Sequence, residues 1–237
     1  MSRFVLSSRA TDAREIMDDP GCDPRALERT YHHFRVVNRV VAGWRSTYRH
    51  LLRPAFVRGR ENTLLDIGSG GGDVPRLLAA WAARDGFRLR ITAIDPDPRA
   101  QAYASVQPPV PGLTFRAALS GDLVTEGARF DLVTSNHVLH HLSPAELAAL
   151  LADSERLSAR LAVHSDIERS PLAYAAFSMG TWPFFRDSFI RADGLTSIRR
   201  SFTGPELRAV APAGWTVENR FPFRNLLVHR APGVPRA

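Results

Sequence analysis

The stretch Leu64-Leu-Asp-Ile-Gly-Ser-Gly-Gly-Gly-Asp73 reads as a strand that runs into a glycine turn and then into a helix. The apolar run Thr63 to Ile67 supplies the strand, and Val74, Leu77, Leu78, Trp81 and Ala82 fall on one face of the helix that follows. Gly68, Gly70 and Gly72 permit a tight turn and leave the backbone open to a ligand, with Ser69 between them.

Downstream, short apolar runs alternate with helical segments, which is how a parallel βαβ sheet reads. Leu89 to Asp95 is a second strand, Pro98 to Ser105 a helix, Leu113 to Ala117 a third strand and Phe130 to Asn136 a fourth. Ser143 and Glu146 form a capping box ahead of a helix with Leu147, Leu150, Leu151 and Leu157 inward, and Leu161 to Asp166 is the fifth strand. Thr203 and Glu206 form a second box. Trp215 to Phe221 and Arg224 to Arg230 are then separated by only two residues, a link that forces an antiparallel pair.

Upstream, Asp23-Pro24 opens a helical stretch expected over 24–52, with the stripe Phe34, Val37, Val41, Trp44, Tyr48 and Leu51. Gly43 is expected to divide it and Pro54 to end it. Tyr31, Asn38 and Arg39 fit either a surface over a ligand or a solvated face. The connection 167–202 is too long for an ordinary loop and reads as an inserted lid. Its first part, Pro171 to Phe185, holds no charge but holds Tyr174, Phe177, Met179, Trp182, Pro183, Phe184 and Phe185; Arg186 to Arg200 follows. Covering an aromatic acceptor, packing on the sheet edge and touching a membrane surface are all compatible with that run. The expected organisation is a helical cap at 1–56 and an α/β core at 57–237 that carries the lid.

The chain has 237 residues, of which 44% are hydrophobic and 23% charged, so disorder and a disulfide scaffold are excluded. Its formal charge of +7 comes entirely from arginine, with no lysine, which points to compositional bias. The arginines form no aromatic-interleaved stripe, so no nucleic-acid partner is expected. The single Cys22 excludes an internal disulfide and fits a reducing, cytoplasmic setting. No apolar run reaches the roughly 18–20 residues of a membrane span, and no stable membrane insertion is expected.

Two cofactor classes compete for the glycine turn. A dinucleotide fingerprint needs Gly or Ala three positions beyond Gly70, where this chain has Asp73, whose charge would face a pyrophosphate. S-adenosylmethionine carries no phosphate, and an acidic turn suits its ammonium and sulfonium. Asp95, followed by Pro96, ends the second strand where a carboxylate can accept both ribose hydroxyls. Asp122 follows the third strand, placed to accept from an adenine amine with Leu123 against the ring; an ordinary Gly-Asp turn is the alternative.

Taken in order, LLDIGSGGGD, ITAIDPD, SGDL and FDLVTSNHVLHHL resemble the sequential motifs of class I S-adenosylmethionine-dependent methyltransferases, over about Thr63 to Asp166. The resemblance implies a Rossmann-like seven-stranded sheet with an antiparallel last strand. It implies that Asp66, Gly68, Ser69, Gly70 and Gly72 surround the methionine part of the cofactor, Asp95 and Pro96 the ribose, and Asp122 and Leu123 the adenine. Asn136 and His137 would lie at the end of the fourth strand. YHHFRVVNRVVAGWRSTY and FIRADGLTSIRRSFTGPEL also resemble actinobacterial-type methyltransferases that accompany type III polyketide synthases, which implies a phenolic, quinone or polyketide-type small-molecule acceptor of secondary metabolism, methylated at oxygen, with methylation at carbon and a non-catalytic S-adenosylmethionine-binding protein as the alternatives.

A phenol with a pKa near 10 benefits from a base. Candidates at the carboxyl ends of strands four and five are His137, His140, His141, His164 and Asp166, with His137, His141 and Asp166 foremost. Packing of the strand-to-helix turn is the plainer account of the three clustered histidines. Asp166 and Arg169 fit either orientation of a hydroxyl or a surface ion pair. His137, His140 and His141 share a helical spacing that suits a metal, yet no carboxylate or cysteine nearby in sequence completes a set, and no metal site is expected.

Overall fold

The computed structural model describes residues 6–40, 42–182, 184–185 and 187–231; Val41 of the helical stripe and Pro183 and Arg186 of the inserted segment lie outside the described residues. Seven strands make one sheet in the order β3-β2-β1-β4-β5-β7-β6. They are β1 (Glu61–Ile67), β2 (Arg88–Asp95), β3 (Leu113–Ala117), β4 (Phe130–Asn136), β5 (Ser158–Ile167), β6 (Trp215–Arg220) and β7 (Arg224–Arg230). The first five run parallel, β7 is antiparallel to β5, and β6 closes the edge antiparallel to β7. The topology reverses between β1 and β4, and in such sheets the ligand crevice opens there, beyond the carboxyl ends of the strands.

Alternation along each strand divides the core between the two faces. Leu64, Leu132, Leu161, Val163 and Val228 pack with Tyr48, Leu52 and Leu78 on one side. Leu65, Val133, Ala162 and Leu227 pack with Leu123, Leu139, Leu151 and Leu157 on the other. The helices, after those of the N-terminal region, are α4 (Asp73–Arg84), α5 (Pro98–Ser105), α6 (Ser120–Thr125), α7 (Pro144–Leu157), α8 (Pro171–Thr181), α9 (Ile190–Arg200) and α10 (Gly204–Val210). Both expected capping boxes are present, at Ser143/Glu146 and Thr203/Glu206.

In the N-terminal region α1 (Pro24–Val40) ends before Gly43, whose φ of 59° starts α2 (Trp44–Thr47), then a π turn (Tyr48–Leu52) and α3 (Arg53–Ala55). Pro54 therefore does not end the helix. The wide turn shifts the Arg53 N–H onto the Tyr48 carbonyl, Pro54 enters as an early residue of the next turn, and the chain turns extended only at Phe56. Trp44, Tyr48, Leu52 and Phe56 belong to the sheet's own core, so this part of the expected cap is a layer of the fold. Ahead of α1 an irregular segment with a 3₁₀ turn at Ile16–Asp18 is fastened to α9, because Asp193 accepts the backbone N–H groups of Ile16 (2.7 Å) and Met17 (3.0 Å).

The inserted segment is α8 and α9. The apolar run of α8 and the residues after it is largely outward: Leu172, Met179, Trp182 and Phe184 are exposed, and among its described residues only Phe177 lines the cavity described below. No helix among the described residues is long and apolar enough to cross a membrane.

Candidate functional site

Gly68 has φ of 66°, and a Cβ there would lie 2.5 Å from Val138, so the β1 turn closes against the loop after β4 only with glycine. Gly70 donates its N–H to Asp95 Oδ2 at 2.8 Å, while Asp95 Oδ1 accepts the Asp97 N–H at 2.9 Å. One carboxylate thereby fixes the turns after β1 and β2 relative to each other. Asp66 accepts the Thr134 hydroxyl at 2.8 Å, and Asp73 accepts Asn38 Nδ2 at 2.7 Å.

Asp66, Asp73 and Asp95 converge on this turn, and none forms an ion pair among the described residues. Burial, with the neighbouring charges of Asp73 and Asp95, pushes the Asp66 carboxyl up to about 7. Burial also raises Asp73 and Asp95 above the ordinary carboxylate range. Three carboxylates with no ion pair among the described residues, only Asp73 and Asp95 feeling the more distant charges of Arg35 and His141, suit a cation better than a phosphate.

They line one side of a cavity of about 390 Å³. Tyr31 stands 3.9 Å from the Cβ position of Gly70 and pairs with Tyr103 at a ring separation of 5.1 Å. The other side is built by the loop after β4, the N-terminal segment and the inserted helices: His137, His140 and His141, Glu15, Met17 and Asp18, and Phe177, Ile190, Asp193 and Ser197. Asn136 lies between the two sides; its Oδ1 accepts Trp44 Nε1 at 2.9 Å and its Nδ2 donates to Asn38 at 3.4 Å.

The histidines differ in kind. His137 holds φ of 58°, a left-handed conformation unusual for a side-chain-bearing residue. Its burial lowers the imidazole to about 4, against the raising influence of Asp166, so the ring is neutral at physiological pH. His140 is buried, and burial alone would lower it; Asp166 and Glu15 overcome that and raise it. Its Nδ1 is 2.7 Å from Asp166 Oδ1, its backbone N–H donates to Asp166 Oδ2 at 2.8 Å, and its Nε2 is 3.3 Å from Glu15 Oε1. His141 stacks on His140 at 4.3 Å, with Nε2 3.7 Å from Glu15 Oε1 and Nδ1 3.3 Å from Asp18.

Of the residues singled out in the sequence, Asp66, Gly68, Ser69, Gly70, Asp95, Pro96, Asn136, His137 and His141 line the cavity. Several others do not. Gly72 caps α4 and its missing Cβ makes room for the Phe115 ring; its neighbour Gly71 lines the cavity instead. Asp122 is exposed and accepts the Leu119 N–H at 2.9 Å as the cap of α6, and Leu123 is buried in the core. Asp166 lies behind His140, outside the cavity. His164 is a core residue, bonded to Ser135 Oγ at 2.7 Å and stacked on Trp215. Arg169 is buried and donates to the carbonyls of Leu6 and Ser201 and to Glu206. Tyr31 and Asn38 face the cavity, whereas Arg39 is exposed.

Glu15 carried no signal in the sequence. It lies in a short segment without periodicity, and only the tertiary path brings it beside His140, 125 residues away. It supplies the carboxylate that the sequence near the histidines lacks: one ligand atom each from Glu15, His140 and His141 lies within 4.8 Å of the others.

Residues 65–163 match the family model described as a methyltransferase domain. The chain is 36% identical over 120 residues to a ubiquinone biosynthesis O-methyltransferase of Cereibacter sphaeroides, covering 49% of this chain and 46% of that protein. An uncharacterized methyltransferase of Synechocystis is 30% identical over 94 residues, covering 40% of this chain and 41% of that one. The chain thus spans less than half the length of these curated relatives. Among solved structures, human N-acetylserotonin methyltransferase in complex with S-adenosylmethionine superposes with a TM-score of 0.60 at 14% identity, over 88% of this chain and 56% of that one. The plantazolicin methyltransferase BpumL with S-adenosylhomocysteine superposes with a TM-score of 0.55 at 10% identity, over 87% and 95%. The strand order, the antiparallel β7 and the matched domain together make this chain a carrier of the class I, Rossmann-like methyltransferase fold.

Proposed function

We propose that the chain is an S-adenosylmethionine-dependent methyltransferase acting on a small phenolic, quinone or polyketide-type acceptor, at oxygen in preference to carbon. The observation that carries this reading is the trio Asp66, Asp73 and Asp95, three carboxylates with no ion pair among the described residues, set around a glycine turn inside a cavity closed on its far side by histidines. The residues fit the cofactor: the trio offers charge to its ammonium and sulfonium, and Asp95, with both oxygens already oriented by backbone donors, retains lone pairs for the ribose hydroxyls. The bound cofactor supplies an electrophilic methyl group.

The protein's task is then to position an acceptor and exclude water. Met17, Phe177 and Ile190 offer an apolar wall to an aromatic or lipophilic ring. His137, neutral and facing the cavity, accepts the acceptor's O–H and orients its oxygen; its low basicity suits orientation better than storage of a proton. Asp166 acts through His140 and is a positioning residue. The O-methyltransferase name of the Cereibacter relative supports oxygen. A cytoplasmic setting belongs to the same reading.

The test is mass spectrometry after incubation with methyl-deuterated S-adenosylmethionine and a panel of alkylresorcinols, alkylpyrones, hydroxyquinones and short peptides. A labelled phenolic product is the expected result, and its fragmentation places the methyl on oxygen or carbon. Cofactor binding with no labelled product would overturn the catalytic reading in favour of a binding protein.

A further inference from the structure

We infer that Glu15, His140 and His141 form a site for a first-row divalent cation, zinc being the best fit, with its open position facing the acceptor side of the cavity. Two imidazoles and one carboxylate with room for a fourth ligand are a donor set that zinc uses when it retains an exchangeable position. Glu15 Oε1 stands 3.3 Å from His140 Nε2 and 3.7 Å from His141 Nε2. The edge of a tetrahedron with bonds of about 2.0–2.1 Å is about 3.3–3.4 Å, so these separations are close to those of ligands sharing one ion. They are longer than the roughly 2.7–2.9 Å of a charge-assisted hydrogen bond, which the other nitrogen of His140 does make, to Asp166 at 2.7 Å.

The surrounding groups have the arrangement that metal-binding histidines require. Both rings turn Nδ1 toward a carboxylate, His140 toward Asp166 and His141 toward Asp18 at 3.3 Å, which fixes the Nδ1–H tautomer and leaves Nε2 of each directed at Glu15. Glu15 Oε1 is itself oriented by the Ser197 hydroxyl at 2.7 Å. The cation takes the place of a proton on His140 Nε2, which leaves to solvent. All three ligands line the cavity that holds His137, so the fourth position receives water or an oxygen of a bound molecule. If the methyl-transfer reading holds, that oxygen is the acceptor's, and the cation favours its ionised form in place of a protein base.

The experiment is titration of the untagged protein, stripped with EDTA, with cobalt(II), followed by visible absorption and checked by calorimetry with zinc. Expected are one equivalent bound, an intense d–d band typical of four-coordination, and a loss of affinity of tenfold or more in both Glu15→Gln and His141→Ala. Neither variant removes the His140–Asp166 contact, and each is checked for an unchanged thermal transition before titration. Adventitious binding only, with equal affinity in the wild type and both variants, overturns the proposal, as does the absence of any band or heat. These readouts do not involve turnover, so failure of the methyl-transfer reading leaves them interpretable.

Discussion

Gly70 and Asp95 join the turns that follow the neighbouring strands β1 and β2, the Gly70 N–H donating to Asp95 Oδ2 at 2.8 Å. The residue proposed to hold the ribose is therefore also the one that sets the shape of the turn proposed to hold the methionine part. Asp95→Ala is expected to weaken S-adenosylhomocysteine binding by about 10- to 100-fold, the worth of one or two charge-assisted hydrogen bonds. Asp95→Asn, which keeps one acceptor for Gly70, falls between. Calorimetry measures both, and wild-type affinity in the alanine variant removes the ribose assignment.

Asp66 gives a pH dependence whose sign is opposite to that of a salt-bridged carboxylate. Its folded-state pKa is raised from 3.8 to about 7, so between those values the folded protein holds a proton that the unfolded chain has released. Stability therefore falls as pH rises through that window, by up to about 4 kcal/mol for a shift of this size. Asp66→Asn is expected to flatten this fall and to exceed the wild type in chemical denaturation at pH 8. The same variant binds S-adenosylhomocysteine more weakly there. A variant that matches the wild type at pH 8 in both measurements would show that Asp66 is neither strained nor used.

Two glycines of one turn separate cofactor access from folding. At Gly72 the φ of 79° and a Cβ position 2.5 Å from the Phe115 ring make alanine destabilising by about 2–4 kcal/mol, with cofactor affinity retained in the folded fraction. At Gly70 nothing lies nearer than 3.9 Å, so alanine costs about 1 kcal/mol through φ alone, yet its methyl group enters the cavity and impairs cofactor binding. Thermal melts paired with calorimetry distinguish the two, and reversal of the pattern would misplace the cofactor.

His137 retains a side chain at φ of 58°. His137→Gly relaxes that backbone while His137→Ala does not, so the glycine variant is expected to be the more stable of the pair by about 1 kcal/mol. Both lose the imidazole, and both are expected to lose methyl transfer by a similar factor. If His137→Gly alone keeps activity, the residue serves the turn and not the acceptor.

What could be read from the sequence was local. The glycine turn, the capping boxes at Ser143 and Thr203 and the two-residue link before Arg224 each encode their geometry within a few residues, and β3 and β4 match the expected bounds. What could not be read depended on partners far along the chain. Asp122 carries the same signal whether it meets a ligand or caps its own helix, and its bond to the Leu119 N–H is the part of that signal seen in the fold. Pro54 looks like a terminator until a π turn precedes it, and the charge-free run looks like a cover although most of its apolar side chains face outward. Asp166 sits where a catalytic acid would, but His140 stands between it and the cavity.

The attachment of Ile16 and Met17 to Asp193 has a practical corollary for anyone preparing this protein. Trimming the first twenty residues would leave every strand and the whole glycine turn intact. It would also take away Glu15, Met17 and Asp18, part of the side of the chamber that faces the glycine turn. Such a shortened chain is expected to keep the residues proposed for the cofactor while losing part of the surface proposed for the acceptor. The boundaries of the expressed gene thus decide which half of the chemistry an assay can see.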